Sequence, residues 1–120
     1  MCSSDLLLAD ARRLRARGKP EAALKAYGRA LETEPANADA LAGRGLCYLE
    51  LSRYGPAEAS FQAALEADAR HAEALMGIAE TYRYEGRRTE AVTYYQKYVA
   101  AHPHGEDAAA ARSAIDALKE

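Results

Sequence analysis

The chain has 120 residues, 49% of them apolar and 28% charged, and its 16 Lys and Arg against 18 Asp and Glu leave a formal net charge of −2. That balance, with the cations spread along the chain, excludes a general attraction to phosphate backbones, so no nucleic acid is expected as a partner. Charges interrupt every apolar stretch well short of the ~20 residues that a membrane span requires, which leaves one compact globular unit as the expectation.

In chain order, residues 1–3 read as a disordered start. Met1-Cys2-Ser3-Ser4-Asp5 lacks the basic and apolar regions of a secretory signal, so the chain is expected in the cytoplasm. A cysteine followed by two serines is also similar to the mature start of a bacterial lipoprotein; that alternative places the chain in the periplasm, lipid-anchored through Cys2. Cys2 and Cys47 set no disulfide framework. Cys47, between Leu46 and Tyr48 in a helical pattern, reads as a buried, inert thiol.

From residue 4 onward the sequence repeats with a period of 34. Shifting by that period places Leu7 over Leu41 and Leu75, Ala11 over Gly45 and Ala79, and Leu14 over Tyr48 and Tyr82. The series continues with Ala23, Ala57 and Ala91, then Tyr27, Phe61 and Tyr95, then Leu31, Leu65 and Val99, and closes on Pro35, Ala69 and Pro103. The units are 4–37, 38–71 and 72–105.

Each unit splits into two amphipathic stretches, because apolar residues recur at spacings of three and four on either side of a polar break. The breaks are Arg17 to Pro20, Ser52 to Pro56 and Glu85 to Arg88, where glycine is expected to take the left-handed conformation that ends a helix. Pro20 and Pro56 suit a first helical turn. Pro35 and Pro103 stop the second helices. Ala11, Gly45 and Ala79 on first helices, with Ala23, Ala57 and Ala91 on second helices, give room for close approach. Leu14, Tyr48, Tyr82, Tyr27, Phe61 and Tyr95 fill that room, so the tyrosines read as core.

This order of a large residue, Leu-Gly, Tyr, Ala, Phe, Ala and Pro resembles the tetratricopeptide repeat (TPR) family over residues 4 to 105. The resemblance implies an all-α fold, a right-handed superhelical stack of three antiparallel helix pairs. Residues 106–120, with Ala108, Ala111, Ile115 and Leu118 on one face, form a closing helix that caps the open hydrophobic end. The family pattern is broken by Asp10, Arg44 and Ile78 at its seventh position, by Tyr98 at its late alanine, and by Ala69 at its proline. The stretch from Pro103 is also similar to the ends of helical repeats in bacterial envelope-assembly and cell-division proteins.

No chemistry is expected. Gly43-Arg44-Gly45 lies inside a helical pattern and not in a phosphate loop. His102 and His104 flank a proline without further ligands, His71 occupies the equivalent turn after the second unit, and all three read as solvated loop residues. No serine or carboxylate pair forms a catalytic set. The expectation is no enzyme, with no catalytic, cofactor or metal residue.

The resemblance instead implies a concave groove lined by Leu8, Arg12 and Arg15, then Asp39, Leu46, Leu49 and Glu50, then Glu73, Met76, Glu80, Arg83 and Tyr84. Leu8, Leu46, Leu49, Met76 and Tyr84 would form an exposed apolar strip that suits a peptide or helix of another protein. The alternative is that the closing helix or a neighbouring helix edge covers that strip. Family members that clamp a C-terminal carboxylate use cationic and amide side chains where this chain has Leu8, Arg12, Gly43, Glu73 and Gly77. The implied role is a protein-binding scaffold. Its alternatives are a self-associating structural unit such as a homodimer, or a noncatalytic arm of a larger assembly such as a bacterial envelope complex.

Overall fold

The structure, a computed structural model, describes residues 4–120; Cys2 and the start assigned to residues 1–3 lie outside the described residues. Seven helices account for the chain in this order: α1 (Ser4–Ala16), α2 (Pro20–Thr33), α3 (Ala38–Glu50), α4 (Tyr54–Ala67), α5 (Ala72–Tyr84), α6 (Arg88–Ala101) and α7 (Ala108–Lys119). The first helices begin at 4, 38 and 72 and the second at 20, 54 and 88, so the period of the sequence is reproduced residue for residue.

The same loop closes each helix pair. The N–H of Lys19, Arg53 and Arg87 reaches back to the carbonyl of Leu14, Tyr48 and Tyr82, at 3.0, 2.8 and 2.8 Å. This bond needs a left-handed residue just before it. Gly18 (φ 74) and Gly86 (φ 78) supply it as expected, but in the middle loop the left-handed residue is Ser52 (φ 59). Gly55 does not fill that role, because Tyr54, Gly55 and Pro56 already form the first turn of α4.

Helices pair as α1 with α2, α3 with α4 and α5 with α6, and the pairs stack through α2 on α3, α4 on α5 and α6 on α7. First helices also touch one another, α1 with α3 and α3 with α5. The second helices pack less closely among themselves, so the stack curves with first helices inside and second helices outside.

Close approach depends on small residues. Phe61 of α4 is fully buried and wedges between Gly45 of α3 and Gly77 of α5, where an added Cβ would meet its ring. Tyr27 of α2 lies in the same way on Gly43 of α3. Tyr27, Phe61, Tyr82 and Tyr95 are core, while Leu14 and Tyr48 are half-buried at its edge.

The third unit closes differently. Tyr98, which replaces the buried Ala30 and Ala64 of the earlier units, is itself buried, and its hydroxyl accepts the backbone N–H of Asp107 at 3.1 Å. The tyrosine occupies the space of the first turn, so Glu106 and Asp107 stay in a turn and α7 begins at Ala108. This delayed helix packs on α6 and buries Ala108, Ala111 and Ala114.

Candidate functional site

The concave side presents α1, α3, α5 and, at one end, α7. Its α1 end is a network of charges. Arg12 stands 3.6 Å from Asp39, and Arg15 stands 3.7 Å from Glu50 and 3.9 Å from Glu73. The resemblance to the family implied that these five residues share one face, and the structure brings them into reach of one another.

His71 joins them, which was not expected. It is no solvated loop residue: its side chain is only 10% exposed. It caps α5, with Nδ1 accepting the N–H of Ala74 at 3.2 Å and Nε2 meeting Asp39 at 2.7 Å. Asn37, one period earlier, caps α3 through Ala40 at 3.0 Å. That correspondence was the signal available in the sequence. His102 is likewise half-buried, with Nε2 against the carbonyl of Arg70 at 2.6 Å, while His104 is exposed.

Asp39, His71 and Glu73 bring three potential metal-ligating atoms within 4.8 Å of one another. Their bonding opposes a metal. With Nδ1 accepting from Ala74, the neutral ring carries its proton on Nε2 and donates it to Asp39. A metal at Nε2 would drive that proton to Nδ1, against the Ala74 N–H, and would compete with both arginines for the carboxylates. The cluster works as a tie among α1, α3 and α5.

The other end of the groove is open. Two expected members of the apolar strip are corrected: Leu8 (5% exposed) and Met76 (9% exposed) belong to the core. Leu8 holds the same repeat position as the fully buried Ala42, and Met76 shares a cavity with Tyr95, Ala110 and Ala114. Leu46 and Leu49 are half-buried, and Tyr84 is 66% exposed. Tyr84 stacks on Tyr54 of α4, rings 5.9 Å apart and 7° from parallel.

Two cavities flank Tyr84. One, of about 400 Å³, is lined by Leu46, Leu49, Glu50, Ser52, Tyr54, Glu80 and Tyr84. The second, of about 480 Å³, is lined by Met76, Glu80, Arg83, Tyr84, Tyr95, Ala110 and Ala114. The closing helix therefore does not cover Leu46, Leu49 or Tyr84; it builds the far wall of the groove. Burial raises the Glu80 carboxyl above its usual range, Asp107 adds to this and Arg83 opposes it. Tyr54, Tyr95, Ala110 and Ala114 carried no groove signal in the sequence, because each lies on a second helix or on the off-period α7.

A family profile described as tetratricopeptide repeat matches residues 8–69 and 48–106. The chain belongs to the tetratricopeptide repeat family. A curated relative, a probable UDP-N-acetylglucosamine–peptide N-acetylglucosaminyltransferase, SPINDLY, from Hordeum vulgare, is 37% identical over 90 residues, which is 75% of this chain and 10% of that protein. The chain thus spans about a tenth of that relative's length. Among solved structures, the Yersinia enterocolitica type III secretion translocator chaperone SycD superposes with a TM-score of 0.91 at 18% identity, covering 97% of this TPR chain and 91% of that one. The second TPR domain of human RPAP3, in complex with the HSP70 peptide SGPTIEEVD, has a TM-score of 0.85 at 22% identity, with 98% and 96% covered. These similarities establish the fold: seven helices and, among the described residues, no strand. No helix among them is long and apolar enough to cross a membrane.

Proposed function

We propose that this TPR chain is a noncatalytic binding module that holds a linear segment or helix of another protein at the end of its groove built by α3, α5 and α7. The observation that carries this reading is the pair of cavities meeting at Glu80 and the exposed Tyr84, with half-buried Leu46 and Leu49 beside them. A large exposed ring held by a stacked partner is a binding anchor that loses little freedom on contact. The second TPR domain of human RPAP3, in complex with an HSP70 peptide, supports this reading, since a chain of the same fold holds a peptide.

The carboxylate clamp of chaperone-tail binders is not the mode proposed here. Gly43 and Gly77, at two of the clamp positions, are buried under Tyr27 and Phe61, and a longer side chain there would displace those rings. Arg12, the cation at a clamp position, faces Asp39.

The test is affinity capture from a lysate of the source organism with the native chain and with a Leu49→Glu, Tyr84→Ala double variant. The variant is expected to keep its helical circular dichroism and lose the captured partner. Undiminished capture by the folded variant would place the interaction elsewhere.

A further inference from the structure

Four carboxylates project from α3 and α5 toward the groove. Asp39 meets Arg12 and His71, and Glu50 and Glu73 share Arg15. Glu80 alone has no hydrogen-bond or salt-bridge partner among the described residues; its charged neighbours are Asp107 and Arg83. Arg83 lines the neighbouring cavity with Tyr95, not the one on the α3 side.

Glu80 is half-buried on α5, one turn after Met76 and one turn before Tyr84, so the three form a single stripe. The cavity on its α3 side holds two carboxylates, two tyrosine rings and two leucines, and no cationic residue lines it. A partly desolvated carboxylate gains most from a cation brought to it. Tyrosine faces attract the same charge, and leucines accept the aliphatic stem of a lysine or arginine. An acidic segment would meet Glu50 and Glu80 instead.

Resting on the groove reading above, we propose that the partner segment is basic: a lysine or arginine enters the cavity between Leu46, Leu49, Tyr54 and Tyr84 to meet Glu80. An apolar residue beside it fills the neighbouring cavity over Met76.

Panning a phage library of random dodecapeptides against the full chain tests both claims separately. Enriched peptides are expected to carry lysine or arginine next to an apolar residue. The best of them, fluorescently labelled, should lose about tenfold in affinity, the worth of one charge-assisted contact, with Glu80→Gln in the chain. A comparable loss is expected when the peptide's own lysine or arginine is replaced by norleucine, a change that leaves the protein's folding untouched. Enriched peptides without a basic residue, or binding indifferent to both changes, overturn the basic occupant. The groove reading then stands provided that Leu49→Glu with Tyr84→Ala abolishes binding. A library that yields no peptide sensitive to that double change overturns both.

Discussion

Gly28 and Gly77 are both interior helical glycines, and their surroundings oppose each other. A Cβ at Gly28 meets nothing within 4 Å, so Gly28→Ala is expected to stabilise by about 1 kcal/mol through helix propensity and to raise the urea midpoint. A Cβ at Gly77 falls against the ring of the fully buried Phe61. There the same propensity gain is outweighed by about 1–3 kcal/mol of overpacking, and Gly77→Ala should lower the midpoint. A rise in both variants would refute the tight α4–α5 seam. Cys47 gives a second measurement at this scale. Its thiol is fully buried and is pushed from its ordinary 9.0 up to about 11, by burial first and then by Glu50. A raised acid stays neutral in the fold, so stability is intact below the unfolded value and is lost as pH rises through the folded one. Burial and Glu58 push Tyr82 up to about 12, which extends the loss. The melting temperature should therefore fall between pH 9 and pH 12. In a Cys2→Ser background, Ellman's reagent should label Cys47 only after denaturant is added; prompt labelling of the native protein would contradict its burial.

The helices were legible in the sequence because two signals agreed: the apolar spacing within each stretch and the period between stretches. Their ends were less so. Ser52 took the left-handed position because register along the repeat, not residue preference, places the bend at the end of α3. His71 became a cap for the same reason, and its role is testable. His71→Ala removes the acceptor for the Ala74 N–H and should cost about 1 kcal/mol in chemical denaturation, whereas His71→Asn should restore most of it, as Asn37 caps α3 in the same way. If the two variants are equally unstable, the Asp39 contact matters more than the cap. The start of α7 was the least legible boundary. Tyr98 stands out in the sequence only as a misfit to the repeat, and its effect follows from where its hydroxyl lands after folding.

At the scale of the molecule, the stack measures 51 × 25 × 23 Å, and each pair buries its face only against its neighbours. Such a stack is exposed at its ends, so α7 is structural as well as a groove wall. Deleting residues 106–120 should uncover Tyr95, Tyr98 and Met76, at about 1.5–3 kcal/mol for each large side chain. The truncated chain is expected to melt lower and to associate with concentration in light-scattering runs; a stable monomer would show that α6 needs no cover. The number and pairing of helices and their period were readable from spacing along the chain, and the resemblance to the family put Arg12, Arg15, Asp39, Glu50 and Glu73 on one face; that they meet across first helices came from the fold. Which apolar residues of the concave face remain open followed from packing between helices. Leu8 and Met76 share one repeat position with Ala42, and all three are buried, while Ala110 and Ala114 of α7 wall the cavity beside Met76. Tyr54 and Tyr95 entered the groove from helices whose faces no periodicity assigns to it. The walls of the groove depend on what arrives from second helices and from the off-period α7, and repeat spacing along the first helices carries no record of that.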